Sequence, residues 1–330
     1  MNDTTKTTVC LAAAFCACAA WAQTFGLKSP DGKNEIKLST EPELRYSVLR
    51  NGRTLVAPSA ISMTFAQQGL LGGAKAKVKS SETRSVAGKI PTPVYKKAFV
   101  DESANALVVA FEGDWRIALV ARDDGVAFRY ETEFSGSAKV VDESVEVAFP
   151  TPEQDVVYAS NNGAWKGDPF QCSWEKWYLP GKVKDLDSAP STLYYAPLTV
   201  LYKDAAMAVT ESDLRDYAGW NFRRDAKDPA KLVSGFAKWP AKLVNYDWEL
   251  GTTEQPTRYK KVEQRADYVV ETAGTRTYPW RLFLLADDVA QLPAQDAVYA
   301  LAAGADPVDW SWVKPGKVAW DWWNFWNVSG

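Results

Sequence analysis

The sequence predicts a mainly β protein, built as a large antiparallel β-sandwich. Strand-like runs follow one another from about residue 24 to residue 285 with no helical pattern between them. Turn signals such as Asn51-Gly52 and Asp123-Asp124-Gly125 join neighbouring runs as hairpins. A hydrophobic fraction of 46% in 330 residues supplies the side chains for a core between stacked sheets.

Individual strands are predicted from alternating apolar and polar residues or from short apolar runs. The first hairpin joins residues 44–49 to 54–56, and the second joins residues 115–121 to 126–130. Residues 69–73 (Gly-Leu-Leu-Gly-Gly) lack the lysine of a phosphate-binding loop, so we expect a flexible connection there. The other predicted strands are residues 36–39, 140–141, 145–149, 198–202, 206–210, 268–270 and 280–285.

The pattern changes after residue 285. An aspartate pair can cap a helix over residues 289–301, which Pro293 interrupts, and Pro315-Gly316 ends the linker behind it. Residues 317–323 then indicate a buried aromatic strand, which we interpret as the start of a second, truncated domain. The predicted domains are a signal peptide over 1–22, the sandwich over 23–286, a helix and linker over 287–316, and the new strand over 317–330.

Residues 1–22 have the composition of a secretory signal peptide. Their apolar run is too short to span a membrane, and Ala20-Trp21-Ala22 has the small residues that a signal peptidase requires. Cleavage after Ala22 leaves Cys172 as the only cysteine, most simply a buried apolar side chain. We expect a periplasmic or secreted protein. The alternative is a lipid anchor on Cys16 or Cys18, to which the preceding residues fit poorly.

Composition excludes several classes of function. A chain without histidine has no Ser-His-Asp or Cys-His nucleophile system, no histidine-ligated zinc and no histidine general base. A net charge of −3 does not provide the basic surface that nucleic acid requires. Chemistry would therefore depend on carboxylates, amines, hydroxyls or oxygen-bound cations.

Glu211 is the carboxylate best placed for chemistry. It follows the apolar run 206–210 and opens the polar segment 211–217. The ends of strands are where a rigid scaffold presents functional side chains, and Ca²⁺ prefers carboxylate oxygens. Glu211 is thus a candidate metal ligand, although its spacing alone favours a solvated acidic loop.

Residues 158–178 combine amides with tryptophans and tyrosines. Proteins bind sugars through rings that stack on their C–H faces and through amides that bond their hydroxyls. Asn161 and Asn162 are therefore candidate substrate-binding residues. Fifteen tryptophans in the chain favour carbohydrate binding, but large sandwiches also use tryptophan to fill the core.

Several separated motifs resemble one family. Residues 309–324, which include Trp320-Asp321-Trp322-Trp323, resemble the start of the catalytic barrel of glycoside hydrolase family 97. Residues 29–33, 208–214 and 278–281 also match that family, in the same order along the chain. The resemblance covers nearly the whole chain beyond the predicted signal peptide.

The resemblance implies an exported bacterial α-glucosidase or α-galactosidase that depends on Ca²⁺ and acts on non-reducing ends. Its domains would be an N-terminal β-super-sandwich, a (β/α)8 catalytic barrel and a small C-terminal β domain. Glu211 matches the calcium-ligating glutamate of the sandwich, and Trp320, Asp321 and Trp323 of the first barrel strand would bind substrate. That strand looks closer to the retaining, α-galactosidase-like branch.

Catalytic residues are not expected in this chain. In the family, the general acid and the base or nucleophile come from later barrel strands, which would lie beyond residue 330. We therefore expect the chain to be inactive alone, with an oligosaccharide and the missing barrel as its partners and with no nucleic acid and no membrane span. The alternative is a non-catalytic sandwich that binds carbohydrate; a purely structural envelope protein explains the tryptophan-rich loops least well.

Overall fold

A computed structural model describes residues 23–92, 95–161, 167–172, 174–245 and 260–302, with scattered residues between 304 and 318. In this part of the chain strands dominate, and all strand pairs are antiparallel. Among the described residues, no helix has the length and hydrophobicity needed to span a membrane.

The strands, in chain order, are β1 (Thr24–Lys28), β2 (Asn34–Ser39), β3 (Arg45–Arg50), β4 (Arg53–Phe65), β5 (Gly69–Gly72), β6 (Val78–Val86), β7 (Lys89–Pro91), β8 (Phe99–Asp101), β9 (Ala104–Phe111), β10 (Trp115–Arg122), β11 (Gly125–Ala148), β12 (Asp155–Tyr158), β13 (Leu179–Lys182), β14 (Tyr194–Tyr195), β15 (Leu198–Leu201), β16 (Ala206–Ser212), β17 (Asn221–Arg224), β18 (Lys231–Gly235), β19 (Pro240–Asn245), β20 (Lys260–Arg265), β21 (Val270–Thr277) and β22 (Trp280–Ala286). Short 3₁₀ helices lie at Gly73–Lys75, Val183–Asp185 and Val289–Ala294, and α1 is Ala297–Ala300.

Two layers of strands form the sandwich, and both contain β11. The first layer has the order β6-β9-β10-β11-β22-β16-β15-β12-β13. The second has the order β1-β2-β3-β4-β11-β18-β17-β14. Because β11 is 24 residues long, its first half pairs in one layer and its second half in the other. The predicted fold class, a large antiparallel sandwich, is confirmed.

The core lies between the two layers. The ring of Tyr46 in β3 packs 4.8 Å from Phe128 of β11 and 5.4 Å from Phe283 of β22, measured between ring centroids. Its hydroxyl donates to the backbone carbonyl of Glu146 at 2.7 Å, so its one polar atom is satisfied. Buried apolar side chains form one continuous cluster that includes residues from both layers. Removal of this surface from water is the main force that stabilises the fold.

The Asn51-Gly52 turn has the geometry that the sequence predicts. Both residues have positive φ, 49° and 77°, as a tight hairpin turn between β3 and β4 requires. The prediction of a flexible connection at residues 69–73 is wrong, because most of that segment forms β5, which pairs with β4. Gly72 has φ 89°, and a Cβ there would lie 2.8 Å from the carbonyl oxygen of Ile61. Glycine at this position thus allows β5 to lie close to β4.

The segment after β22 packs against the sandwich. The predicted helix over 289–301 is instead the 3₁₀ helix Val289–Ala294 followed by α1, with Asp288 accepting a bond from the backbone N–H of Ala290 at 2.7 Å. Leu292 and Ala297 each pack in a small apolar cluster on the outer face of the first layer. The boundary placed at residue 286 stays a prediction, and most of the predicted strand at 317–330 lies outside the described residues.

Candidate functional site

Glu211 lies near the end of β16, directly opposite Arg281 of β22. Its Oε2 accepts a bond from Arg281 Nη1 at 2.8 Å, and its Oε1 accepts a bond from the backbone N–H of Trp220 at 3.0 Å. The side chain of Glu211 is 14% exposed. Each oxygen therefore has one protein partner, and the carboxylate still reaches the surface.

Arg281 is buried behind Glu211 and bonds a second carboxylate. Its Nε and Nη2 donate to the two oxygens of Glu143 at 2.9 and 2.7 Å, a bidentate pair in which both side chains are at most 2% exposed. The rings of Phe236, Trp220 and Tyr217 lie 4.7, 5.5 and 5.8 Å from the guanidinium. We call Glu143, Arg281 and Glu211 the ionic cluster.

The ionic cluster holds two carboxylates and one guanidinium, so it has a net charge of −1 when all three are ionised. Burial raises the pKa of Glu211 above its usual value, although the positive charge of Arg281 opposes that shift. Burial also works against the charged form of Arg281, but the carboxylates of Glu143 and Glu211 outweigh it and raise the pKa of the guanidinium. The excess negative charge is nearest the surface at Glu211, where a cation could bind.

The residues after Glu211 contact the segment that leaves the sandwich. Ser212 Oγ donates to the backbone carbonyl of Val298 in α1 at 2.5 Å, and Arg215 Nη2 donates to that of Gly304 at 3.3 Å. Asp213 between them has a positive φ of 57°. The metal-ligand candidate therefore lies close in sequence to residues that contact Val298 and Gly304.

The predicted substrate-binding residues are only partly within the described chain. Asn161 is buried, and its Nδ2 donates to the backbone carbonyls of Pro169 and Ser191 at 2.9 and 3.0 Å, while its Oδ1 accepts from the N–H of Leu193 at 3.3 Å. The amide thus connects neighbouring loops, and its part in sugar binding stays a prediction. Asn162, Trp320, Asp321 and Trp323 lie outside the described residues.

Aromatic rings near Asn161 do reach the surface. Trp177 is 87% exposed, and Tyr178 beside it is also exposed. Tyr195 makes edge contacts with Trp174 and Tyr178, with ring centroids 5.3 and 6.2 Å apart. Trp177 is adjacent to Tyr178 in the sequence, and the rings of Trp174, Tyr178 and Tyr195 form an aromatic surface. Close to it, Cys172 is half-buried and has a free thiol.

Arg281 and Glu143 are site residues that the sequence reasoning missed. Arg281 interrupts the apolar run of β22, and a charged side chain within a buried strand requires a buried partner. This charged side chain within an apolar strand is the sequence feature from which Arg281 could have been identified. Its partner Glu143 could not be found in the same way, because it is 138 positions away on β11.

Within the described part of the chain, no group of three or more acidic, cysteine or histidine residues is arranged to hold a metal ion. A cation at Glu211 would therefore need most of its ligands from elsewhere.

Solved structures with the same fold are enzymes that act on sugars. A glycoside hydrolase family 97 enzyme from Pseudoalteromonas sp. strain K8, in complex with panose, superposes with a TM-score of 0.72 at 21% identity, over 91% of this chain and 41% of that one. A beta-arabinopyranosidase superposes with a TM-score of 0.63 at 20% identity, over 80% and 40%. At these identities the similarity shows the fold alone.

The chain belongs to glycoside hydrolase family 97. Residues 27–303 match the family model described as Glycosyl-hydrolase 97 N-terminal, a range that includes both short helices after β22. A retaining alpha-galactosidase of Bacteroides thetaiotaomicron is 32% identical over 330 residues, which is 98% of this chain and 48% of that protein. The chain thus spans about half the length of this relative, and the family expected from the sequence motifs is confirmed.

Proposed function

We propose that this chain is the N-terminal domain of an exported, calcium-dependent α-glycoside hydrolase that removes sugars from the non-reducing ends of oligosaccharides. The observation that supports it most is the 32% identity, over almost the whole chain, to a retaining alpha-galactosidase. An α-galactosidase is therefore preferred over an α-glucosidase. The signal-peptide composition of residues 1–22 supports export to the periplasm or beyond.

Glu211 is the residue through which the sandwich would hold Ca²⁺. The ionic cluster fits this ion, because its donor at the surface is a carboxylate oxygen and its net charge is negative. A divalent cation would also offset the cost that burial imposes on the ionised form of Glu211. When bound, Ca²⁺ would supply positive charge close to the reacting sugar. Because Ca²⁺ takes six to eight oxygens, the other ligands would come from the catalytic domain.

A first prediction concerns the activity of the chain itself. Glycosidic cleavage requires two carboxyl groups, one on each side of the bond, and we assign neither of them to the sandwich. Residues 23–330 should release no p-nitrophenol from p-nitrophenyl α-galactoside or α-glucoside, whereas a protein extended to the length of the relative should release it. Turnover by residues 23–330 alone would contradict the assignment.

A second prediction concerns Glu211→Gln in the extended protein. The substitution removes the negative charge of a direct ligand, so it should weaken Ca²⁺ binding by more than the roughly 100-fold that loss of a supporting residue can cost, with a parallel loss of turnover at limiting Ca²⁺. Isothermal titration calorimetry and initial rates measure the two effects. Glu153→Gln, which changes an exposed carboxylate paired with Lys184, is the control. Unchanged calcium affinity in Glu211→Gln would rule out its assignment as a ligand.

The second candidate function is carbohydrate binding without catalysis, which the exposed Trp177 and Tyr178 favour. If it is correct, residues 23–330 alone should bind oligosaccharides in calorimetry, and Trp177→Ala should abolish that binding. The DNA sequence beyond codon 330 separates the two functions. A reading frame that continues into a barrel supports the enzyme, and a stop codon supports the binding module.

A further inference from the structure

The ionic cluster fixes the carboxylate of Glu211 from the inside. Arg281 Nη1 bonds Oε2 at 2.8 Å, and the Trp220 N–H bonds Oε1 at 3.0 Å. Each oxygen keeps a second lone pair that can bind a cation, and the side chain is 14% exposed, so a cation can approach it from the surface. The orientation of Glu211 therefore depends on where Arg281 is held.

Arg281 is itself fixed. Glu143 bonds the Nε and Nη2 of its guanidinium, and the rings of Phe236, Trp220 and Tyr217 enclose it. A planar guanidinium bonded along one edge by a carboxylate cannot turn without breaking two hydrogen bonds. Its remaining Nη1–H bond to Glu211 consequently has a defined direction.

Stability alone does not explain this arrangement. Taking a guanidinium and a carboxylate out of water is costly, and apolar side chains of the same volume often stabilise a core as well or better. In metal sites, by contrast, groups that hydrogen-bond a ligating carboxylate orient it and strengthen metal binding. The ionic cluster has the geometry of such a support.

We propose that Arg281 and Glu143 are positioning residues for the cation that Glu211 binds. This inference rests on the proposed function, since it assumes that Glu211 is a metal ligand. Glu143 fixes the guanidinium, the guanidinium fixes Glu211, and the outward oxygens of Glu211 face the cation in one orientation. The effect is geometric, so it should be lost even when every charge is kept.

Arg281→Lys tests the geometry separately from the charge. Lysine keeps the positive charge, but its single ammonium nitrogen cannot replace the three guanidinium nitrogens that bond Glu143 and Glu211. Glu143→Asp likewise keeps all charges and shortens the reach to Arg281 by one methylene, so it gives the test a second variant should Arg281→Lys not fold. Arg50→Lys is the matched control, because Arg50 is also a buried arginine bonded to an aspartate, Asp287, at the other end of β22.

The experiment titrates the extended protein with Tb³⁺, whose luminescence is excited through nearby tryptophans, and then displaces Tb³⁺ with Ca²⁺. Urea unfolding in EDTA measures stability in parallel. We expect Arg281→Lys and Glu143→Asp to bind both ions roughly 10–100-fold more weakly, and Arg50→Lys to lose stability at unchanged affinity. Wild-type affinity in the folded Arg281→Lys and Glu143→Asp proteins would overturn the inference.

The same titration distinguishes the two proposals. If wild type has no Tb³⁺ site that Glu211→Gln removes, the proposed role of Glu211 fails, and this inference fails with it. If Glu211→Gln removes the site while Arg281→Lys and Glu143→Asp leave its affinity unchanged, only the positioning role fails.

Discussion

Asp296 shows how single charged residues stabilise the end of the sandwich. Its Oδ1 accepts a bond from the hydroxyl of Tyr95 at 3.0 Å, and its Oδ2 pairs with Lys97. Its backbone N–H donates to Asp124 at 2.9 Å. Burial works against the ionised form, but the bonds from Lys97 and Tyr95 outweigh it and lower the pKa of Asp296 below 3.8.

A prediction at this scale is the pH dependence of Asp296→Asn. A lowered pKa in the folded state means that the ionised group stabilises the fold above its ordinary pKa of 3.8, and that this stability is lost as pH falls through the lowered value. The difference in unfolding free energy between wild type and Asp296→Asn should be about 1 kcal/mol near neutral pH and should vanish in strong acid.

Urea unfolding at a series of pH values measures this difference. Asp204→Asn, at an exposed carboxylate paired with Arg53, is the control and should change stability little. A difference for Asp296→Asn that grows as the pH falls would have the wrong sign and would contradict the prediction.

Among single residues, sequence reasoning could place Glu211 near the end of a strand, but it could not find the partners of its carboxylate. A carboxylate after an apolar strand is a local feature, visible in seven or eight residues. The bonds from Arg281 to Glu143, and those between Asn161 and three backbone groups in two loops, depend on which parts of the chain become neighbours. Hydrophobic alternation determines which face of a strand is buried, but it does not determine strand order.

At the scale of elements, β11 and β22 approach each other unusually closely at Gly125. A Cβ there would lie 2.6 Å from the carbonyl oxygen of Phe283 and 3.2 Å from the Cα of Leu284, both backbone atoms. Backbone in the middle of a sheet cannot move aside at low cost. The glycine is therefore required by packing, not by its dihedral angles.

Gly125→Ala should accordingly lower the free energy of unfolding by about 1–3 kcal/mol. Gly26→Ala in β1 is the matched control, since the one neighbour of its added methyl is the flexible end of Glu35 at 3.2 Å. That control should be neutral or slightly stabilising. Thermal unfolding of both variants tests the comparison, and equal stability of Gly125→Ala and wild type would show that the two strands are not in contact there.

Strands with clear periodicity were predictable, whereas strands defined by their partners were not. β6 consists of Val-Lys-Ser-Ser-Glu-Thr-Arg-Ser-Val and is exposed over most of its length, so no buried face marks it in the sequence. It exists because its backbone pairs with β9. The predicted helix after β22 was shortened for a different reason, since Pro293 lies in the 3₁₀ helix and lacks the N–H that a longer α-helix would use.

For the whole molecule, the segment after β22 should be part of the folding unit. Leu292 covers Ala206, Ala208 and Ala286 on the outer face of the first layer. Removing it would expose these side chains, and burial of a leucine contributes about 1.5–3 kcal/mol. A chain of residues 23–286 should therefore be less stable than one of residues 23–303 by at least about 2 kcal/mol, measured by urea unfolding. Equal stability would instead support a domain end at residue 286.

The overall class of the fold was the most predictable feature, because it depends on the sum of many local patterns. The route of the chain through the two layers was not predictable. β11 is divided in the sequence into residues 126–130, 140–141 and 145–149, which we predicted as separate strands, yet it is one strand of 24 residues. The apolar and polar residues of a long strand that passes from one layer to the other alternate in the same way as those of several short strands, so the pattern does not distinguish the two.

The position of β11 in both layers has a consequence for synthesis of the protein. Its neighbours β21 and β22 are supplied only by residues 270–286, so the first layer cannot be completed while the ribosome is still translating the middle of the chain. At roughly 5–20 residues per second, this delay is on the order of 10 s. During that time the nascent chain has an unpaired strand edge, the state most prone to aggregation. Anything that shields this edge until β22 can pair with β11 would therefore favour correct folding.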